Sequence, residues 1–175
     1  MLSKKTSRVR GYTLIELMIA VGLFAVIMTL ASGAYLVMIN LNRQSQAVAT
    51  GINNLSFALE AVTRDIRTSS GYKCNGVGEC HLGASSFTFT NKAGNTVTYS
   101  LSGTTLVKTV NSTQNALTDS SVTVSSLMFY AFGTTAGDTE QPRVTIIVSG
   151  SVSAGPGKAQ SFTVETGSTM RGSDI

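Results

Sequence analysis

The side chains that could do chemistry are few and widely spaced. His81 is the sole histidine and directly follows Cys80, and Cys74 is the only other cysteine. Together these three could hold a metal. Structural zinc, however, takes four ligands at recurring spacings, and no fourth ligand accompanies them. Asp138 and Glu140 share the stretch 133–141 and could approach calcium, but that ion takes six or more oxygens. A solvated loop is the reading there, and no metal or cofactor is expected. Any histidine-dependent triad would have to use His81 beside a cysteine loop. No G-x-S-x-G, phosphate loop or H-E-x-x-H occurs. The chain is therefore not expected to be an enzyme. That leaves Glu16, an acid at the front edge of the run Leu17–Ile39, which has no formal charge. A carboxylate inside a membrane is costly and needs a reason.

The apolar run must position that acid. At about 1.5 Å per helical residue it reaches across a hydrocarbon core of roughly 30 Å. Among the 175 residues, 13 are Lys or Arg and 9 are Asp or Glu, giving a net charge of +4. Lys4, Lys5, Arg8 and Arg10 precede Tyr12 with no acid among them, and beyond Tyr12 the charges balance. Basic residues flanking an apolar segment stay in the cytoplasm, so the chain after Ile39 is expected outside it. Nucleic acid would need cations spread over the folded part, and direct binding to it is not expected. In an oxidising compartment, Cys74 and Cys80 are expected to close a loop as a disulfide.

The helical pattern continues past the run. Thr13 to about Ser69 reads as one helix, apolar on all sides in its first half. In the second half Val48, Ile52, Leu55, Leu59, Val62 and Ile66 recur every three or four residues and form one stripe. Glu60 and Arg64 make an i,i+4 pair. Gly22 and Ser32-Gly33 are the weak points of the helix, since glycine costs about 1 kcal/mol against alanine. Beyond Ser69-Ser70-Gly71, strands are expected at 86–90, 96–101, 105–110, 122–131, 143–149 and 160–165. Short links between them favour an antiparallel meander. Phe87 and Phe89, then Val97, Tyr99 and Leu101, then Phe162 and Val164 alternate with polar residues, which implies one covered face. The amphipathic half of the helix is the expected cover. The fold class is α+β: a long N-terminal helix packed on an antiparallel β-domain.

Gly11-Tyr12-Thr13-Leu14-Ile15-Glu16-Leu17, followed by the apolar helix, resembles the class III signal of type IV pilins and type II secretion pseudopilins. Phe is usual in that family where Tyr12 stands, and the aromatic ring is kept. The resemblance implies cleavage between Gly11 and Tyr12 by a prepilin peptidase and N-methylation of Tyr12. It also gives Glu16 an assembly role, beside the new amine of a neighbouring subunit. Read from the residues alone, Glu16 could equally snorkel at the cytoplasmic interface. The expected divisions are a leader at 1–11, a membrane and filament-core helix at 12–40, an amphipathic helix half at 41–70 and an extracytoplasmic β-domain at 71–175. Major pilins often carry a proline where this chain has Gly33. More narrowly, Leu55–Arg67 with Arg64-Asp65-Ile66-Arg67 resembles J-type minor pseudopilins and W-type minor pilins. So do Pro142–Ile146, Phe162–Thr166 and Arg171.

The expectation is a structural subunit, a minor pilin or pseudopilin of a type IV pilus-like or type II secretion filament. Its implied partners are the prepilin peptidase, other pilin or pseudopilin subunits, the inner-membrane assembly platform and the lipid bilayer. It starts in the bacterial inner membrane with a cytoplasmic N-terminus and moves into an extracytoplasmic filament. Two rivals remain. One is a bitopic protein with a non-assembling extracytoplasmic binding domain. The other is a secreted domain cut after Ala31-Ser32-Gly33, an ordinary small-residue signal.

Overall fold

The structure is a computed structural model, and it describes residues 11–135, 140–155 and 157–170. Most of the leader, Asp138 of the acidic loop and Arg171 therefore lie outside the described residues. The chain forms two compact units, Met1–Asn42 and Arg43–Ile175. One helix, α1, runs from Leu14 to Arg67. It passes Gly22 and Gly33 without interruption.

In the second unit the buried positions of α1 are Gly51, Leu55, Ala58, Leu59, Val62 and Ile66. The expected stripe holds from Leu55 onward. It fails at Ile52, which is 36% exposed. Gly51 takes the inward place instead. A Cβ built on Gly51 would lie 2.1 Å from Val152 Cγ1, so only glycine lets the helix come this close to the sheet. Ile52, one position on, is turned about 100° away. The Glu60–Arg64 pair forms at 3.0 Å on the exposed side. Past Arg67 the final carbonyls find side-chain donors. Ser69 Oγ donates to Asp65 O at 2.6 Å, and the Tyr72 hydroxyl lies 2.6 Å from Ile66 O and 2.8 Å from Ser69 O.

Among the described residues nine strands follow: β1 (Ser70–Cys74), β2 (Cys80–Ala84), β3 (Ser86–Thr90), β4 (Thr96–Ser102), β5 (Thr105–Val110), β6 (Thr113–Ala116), β7 (Val122–Phe132), β8 (Arg143–Ser153) and β9 (Ala159–Thr169). All six expected strands are present. The meander needs correction, because the strands form two antiparallel sheets, ordered β1-β3-β4-β5-β6 and β2-β7-β8-β9. The chain leaves the first sheet after β1, adds β2 to the edge of β7, and returns as β3. The Cys74–Cys80 disulfide bridges that excursion, with 5.8 Å between the Cα atoms. Strands β1 and β2 lack β-branched residues and contain glycine, and β6 is four exposed residues. None of the three carries the pattern of a half-buried strand. Strand β8 also runs through Ser149-Gly150-Ser151, which reads as a turn. There a Cβ on Gly150 would sit 2.2 Å from Thr123 O, beside the register shift of β7 at Val124/Ser126.

The helix and both sheets share one apolar core. Phe87 of the first sheet stacks on Phe129 of the second at 5.4 Å, and Tyr72 also stacks on Phe87, at 5.6 Å. The helix is also tied by polar groups. Tyr99 Oη donates to Asp65 Oδ2 at 2.7 Å, and Lys108 Nζ donates to the same oxygen. Tyr99 is fully buried. Burial first, and then the Asp65 carboxylate, push its pKa well above the ordinary phenol value. The phenol thus stays a neutral donor at every physiological pH. On the other sheet Ser168 Oγ donates to Thr63 O at 3.1 Å.

Candidate functional site

Gly11, Tyr12 and Thr13 precede the helix without regular structure. Thr13 is the N-cap and Glu16 is the third helical residue, and the two exchange hydrogen bonds. Glu16 N donates to Thr13 Oγ1 at 3.3 Å. Thr13 N donates to Glu16 Oε2 at 3.2 Å, and Thr13 Oγ1 lies 3.2 Å from the same oxygen. This is a capping box, which satisfies two of the amides a helix start leaves unpaired. The acid also lies at the positive end of the helix dipole. The sequence carried this signal, since Thr-x-x-Glu before an apolar run is the capping-box pattern. Reactive-group chemistry does not single out Thr13, because its hydroxyl acts here on a backbone amide.

Behind the cap, the most apolar 18-residue window of α1 has a mean hydropathy of 2.5, and none of it is buried within the chain. Leu17, Phe24 and Leu30 are 61%, 59% and 72% exposed. The segment is long and apolar enough to cross a membrane. Its Thr29 and Ser32 hydroxyls are satisfied within the helix itself. Thr29 Oγ1 lies 2.7 Å from Ala25 O, and Ser32 Oγ donates to Met28 O at 2.8 Å. Polar atoms in hydrocarbon need such internal partners.

His81 follows the disulfide-bonded Cys80 directly. His81 Nε2 pairs with Glu79 Oε2 at 2.8 Å, and Thr134 N donates to Glu79 Oε1 at 2.9 Å. The Thr134 amide is the main reason the Glu79 carboxyl is held below its ordinary pKa, with His81 adding to it. The His81 ring stacks on Phe132 at 4.8 Å, and the Arg143 guanidinium lies 4.9 Å from the same ring. His81 is thus engaged by an acid and an aromatic ring. Among the described residues no three His, Cys, Asp or Glu side chains converge as metal ligands.

The chemistry therefore concentrates at the capped start of α1. Residues 6–32 match the prokaryotic N-terminal methylation motif, the class III signal of type IV pilins. No curated protein and no solved structure matches the chain. The matched segment contains Gly11, Tyr12, Thr13 and Glu16 and the first half of the apolar run. The chain thus joins a pilin-like signal to a pilin-like α+β architecture, one long N-terminal helix packed on antiparallel sheets.

Proposed function

We propose that the chain is a minor pilin or pseudopilin, a structural subunit of a type IV pilus-like or type II secretion filament. The observation that carries the reading is a methylation motif leading into an apolar helix that the chain does not cover itself. Prepilin peptidase cuts between Gly11 and Tyr12, and the new Tyr12 amine is methylated. The bilayer covers residues 12–40 first, with the N-terminus cytoplasmic and residues 71–175 outside. The assembly platform then transfers the helix into a filament core of other subunits. Two carboxylate oxygens accept more hydrogen bonds than the Thr13 groups supply. Glu16 therefore has room for the Tyr12 amine of a neighbour, and a buried carboxylate is tolerable when so paired. The role is structural rather than catalytic.

Two measurements test this. Mass spectrometry of the mature N-terminus should find methylated Tyr12. An intact Met1 would instead mean a bitopic protein that keeps its leader, and Ala34 a secreted domain. Glu16→Ala should reach the membrane at wild-type levels yet enter filaments at least about tenfold less, equivalent to roughly 1.4 kcal/mol. Normal assembly of that variant would reduce Glu16 to a cap and an interfacial acid.

A further inference from the structure

We propose that β9 is a docking edge at which a second copy of this chain adds its own β9, antiparallel, to join the two β7-β8-β9 sheets into one. An edge strand presents unpaired N–H and C=O groups at every second residue. Folded proteins blunt such edges with short strands, bulges, lysine or proline. Among the described residues three of the four sheet edges are blunted. Strand β6 is four residues long. Strand β1 has a register shift between Ser70 and Lys73. Strand β2 has one between Cys80 and Ala84 and is tied at its first residue by the disulfide.

Strand β9 has none of these devices. It is 11 residues long and keeps unbroken register with β8, from Arg143↔Thr169 to Ser153↔Ala159. It contains no proline, lysine or arginine, and Glu165 is its one charge. Among the described residues no backbone group outside β8 hydrogen-bonds to its main chain; its one tie to α1 is through the Ser168 side chain. Phe162 and Val164 lie on its core side, across from Gly150 and Val148, yet both stay half-exposed at the rim of the core. A strand laid beyond β9 would cover them.

The occupant must be extended, place an apolar side chain opposite Val164, and keep acids away from Glu165. Strand β9 of a second copy meets all three conditions. Centred on Val164, antiparallel pairing sets Val164 against itself, Phe162 against Thr166 and Thr163 against Glu165. The two glutamates then face hydroxyls and not each other, and the full strand is paired. Such a two-fold contact closes on itself. It uses main-chain hydrogen bonds for affinity and alternate side chains for specificity.

Full-length protein in its own membranes tests this by cross-linking. In an antiparallel pair directly opposed Cβ atoms lie about 4.5–5.5 Å apart, so Val164→Cys should give a disulfide-linked dimer under mild oxidant. Asn115→Cys on β6 serves as the control and should stay monomeric. Thr163→Asp, on the exposed side, sets a second acid against Glu165 at both ends of the two-fold. It should cut the Val164→Cys dimer about tenfold without moving the thermal midpoint, while Thr163→Lys should preserve or raise it. Three results would overturn the proposal: cross-linking no greater than at Asn115→Cys, equal effects of Asp and Lys at 163, or a link only to a different protein. The pairing does not rest on the filament reading. In a Glu16→Ala background the dimer should persist whether or not filaments form, so the two ideas fail separately.

Discussion

Leu23 and Leu55 occupy one helix, yet within the chain Leu23 is 59% exposed and Leu55 is 1% exposed. Residues 14–42 are helical through local means: a capping box, main-chain hydrogen bonds and hydroxyls returned to the preceding turn. Residues 43–67 are held by tertiary contacts: Gly51 against Val152, Leu55 to Ile66 in the core, and Asp65 between Tyr99 and Lys108. The first stretch contributes nothing to the β-domain's core and needs an outside apolar medium. The second is part of that core and needs none. Equal helicity therefore says little about what a helix is for. The destination of its side chains does.

Matched substitutions sharpen this contrast. Ile66→Ala should destabilise the β-domain by about 2–5 kcal/mol, the usual range for truncating a buried aliphatic. Leu23→Ala should leave the same unfolding transition within about 0.5 kcal/mol. Denaturant unfolding followed by tyrosine fluorescence reads both, and equal effects would erase the distinction between the two stretches. The two helix glycines form a smaller pair. Gly51→Ala forces a methyl into Val152 and should cost about 1–3 kcal/mol. At Gly33 nothing lies within 4 Å. Gly33→Ala should therefore be neutral, or stabilising by up to about 1 kcal/mol through helix propensity.

The local half was the more legible in sequence. The apolar run, the confined basic residues and Thr13-Leu14-Ile15-Glu16 are all neighbours along the chain. The strand alternation was legible too, since Phe87, Phe89, Val97 and Tyr99 are all buried. What escaped depended on partners far away in sequence. Asp65 reads as one acid in a charged turn, and only the fold brings Tyr99 and Lys108 to it. The same holds for Gly51, whose use depends on Val152, and for β2, whose partner β7 begins only at Val122. Near Asp65 the J-type and W-type likeness of Arg64–Arg67 thus falls on a residue with a structural task.

The smallest expected effect concerns acid. Ser121 Oγ and Ser121 N both donate to Asp119 Oδ1, and they hold the Asp119 carboxyl below its ordinary pKa. Glu79 is depressed mainly by the Thr134 amide. A depressed native pKa means that the unfolded state takes up protons first. Each acid's contribution is therefore present above its ordinary unfolded value and lost as pH falls through its lowered native value. Asp119→Asn should flatten part of the acid limb of the stability curve, and carbon-detected titration of both carboxyls reads the midpoints directly.

The capping box has a consequence for scission. Leu17 N to Thr13 O, at 3.2 Å, is the first turn of α1, and it lies wholly downstream of Gly11–Tyr12. A protease needs its substrate backbone locally unwound, and a bond inside a helix must be melted before it can be cut. Here the peptide bond proposed for cleavage sits in non-helical chain, two residues before the rod is stapled shut. Trimming would therefore sever no helical hydrogen bond. The trimmed subunit would keep the same first turn it had before, with Thr13 and Glu16 fixing where the rod begins.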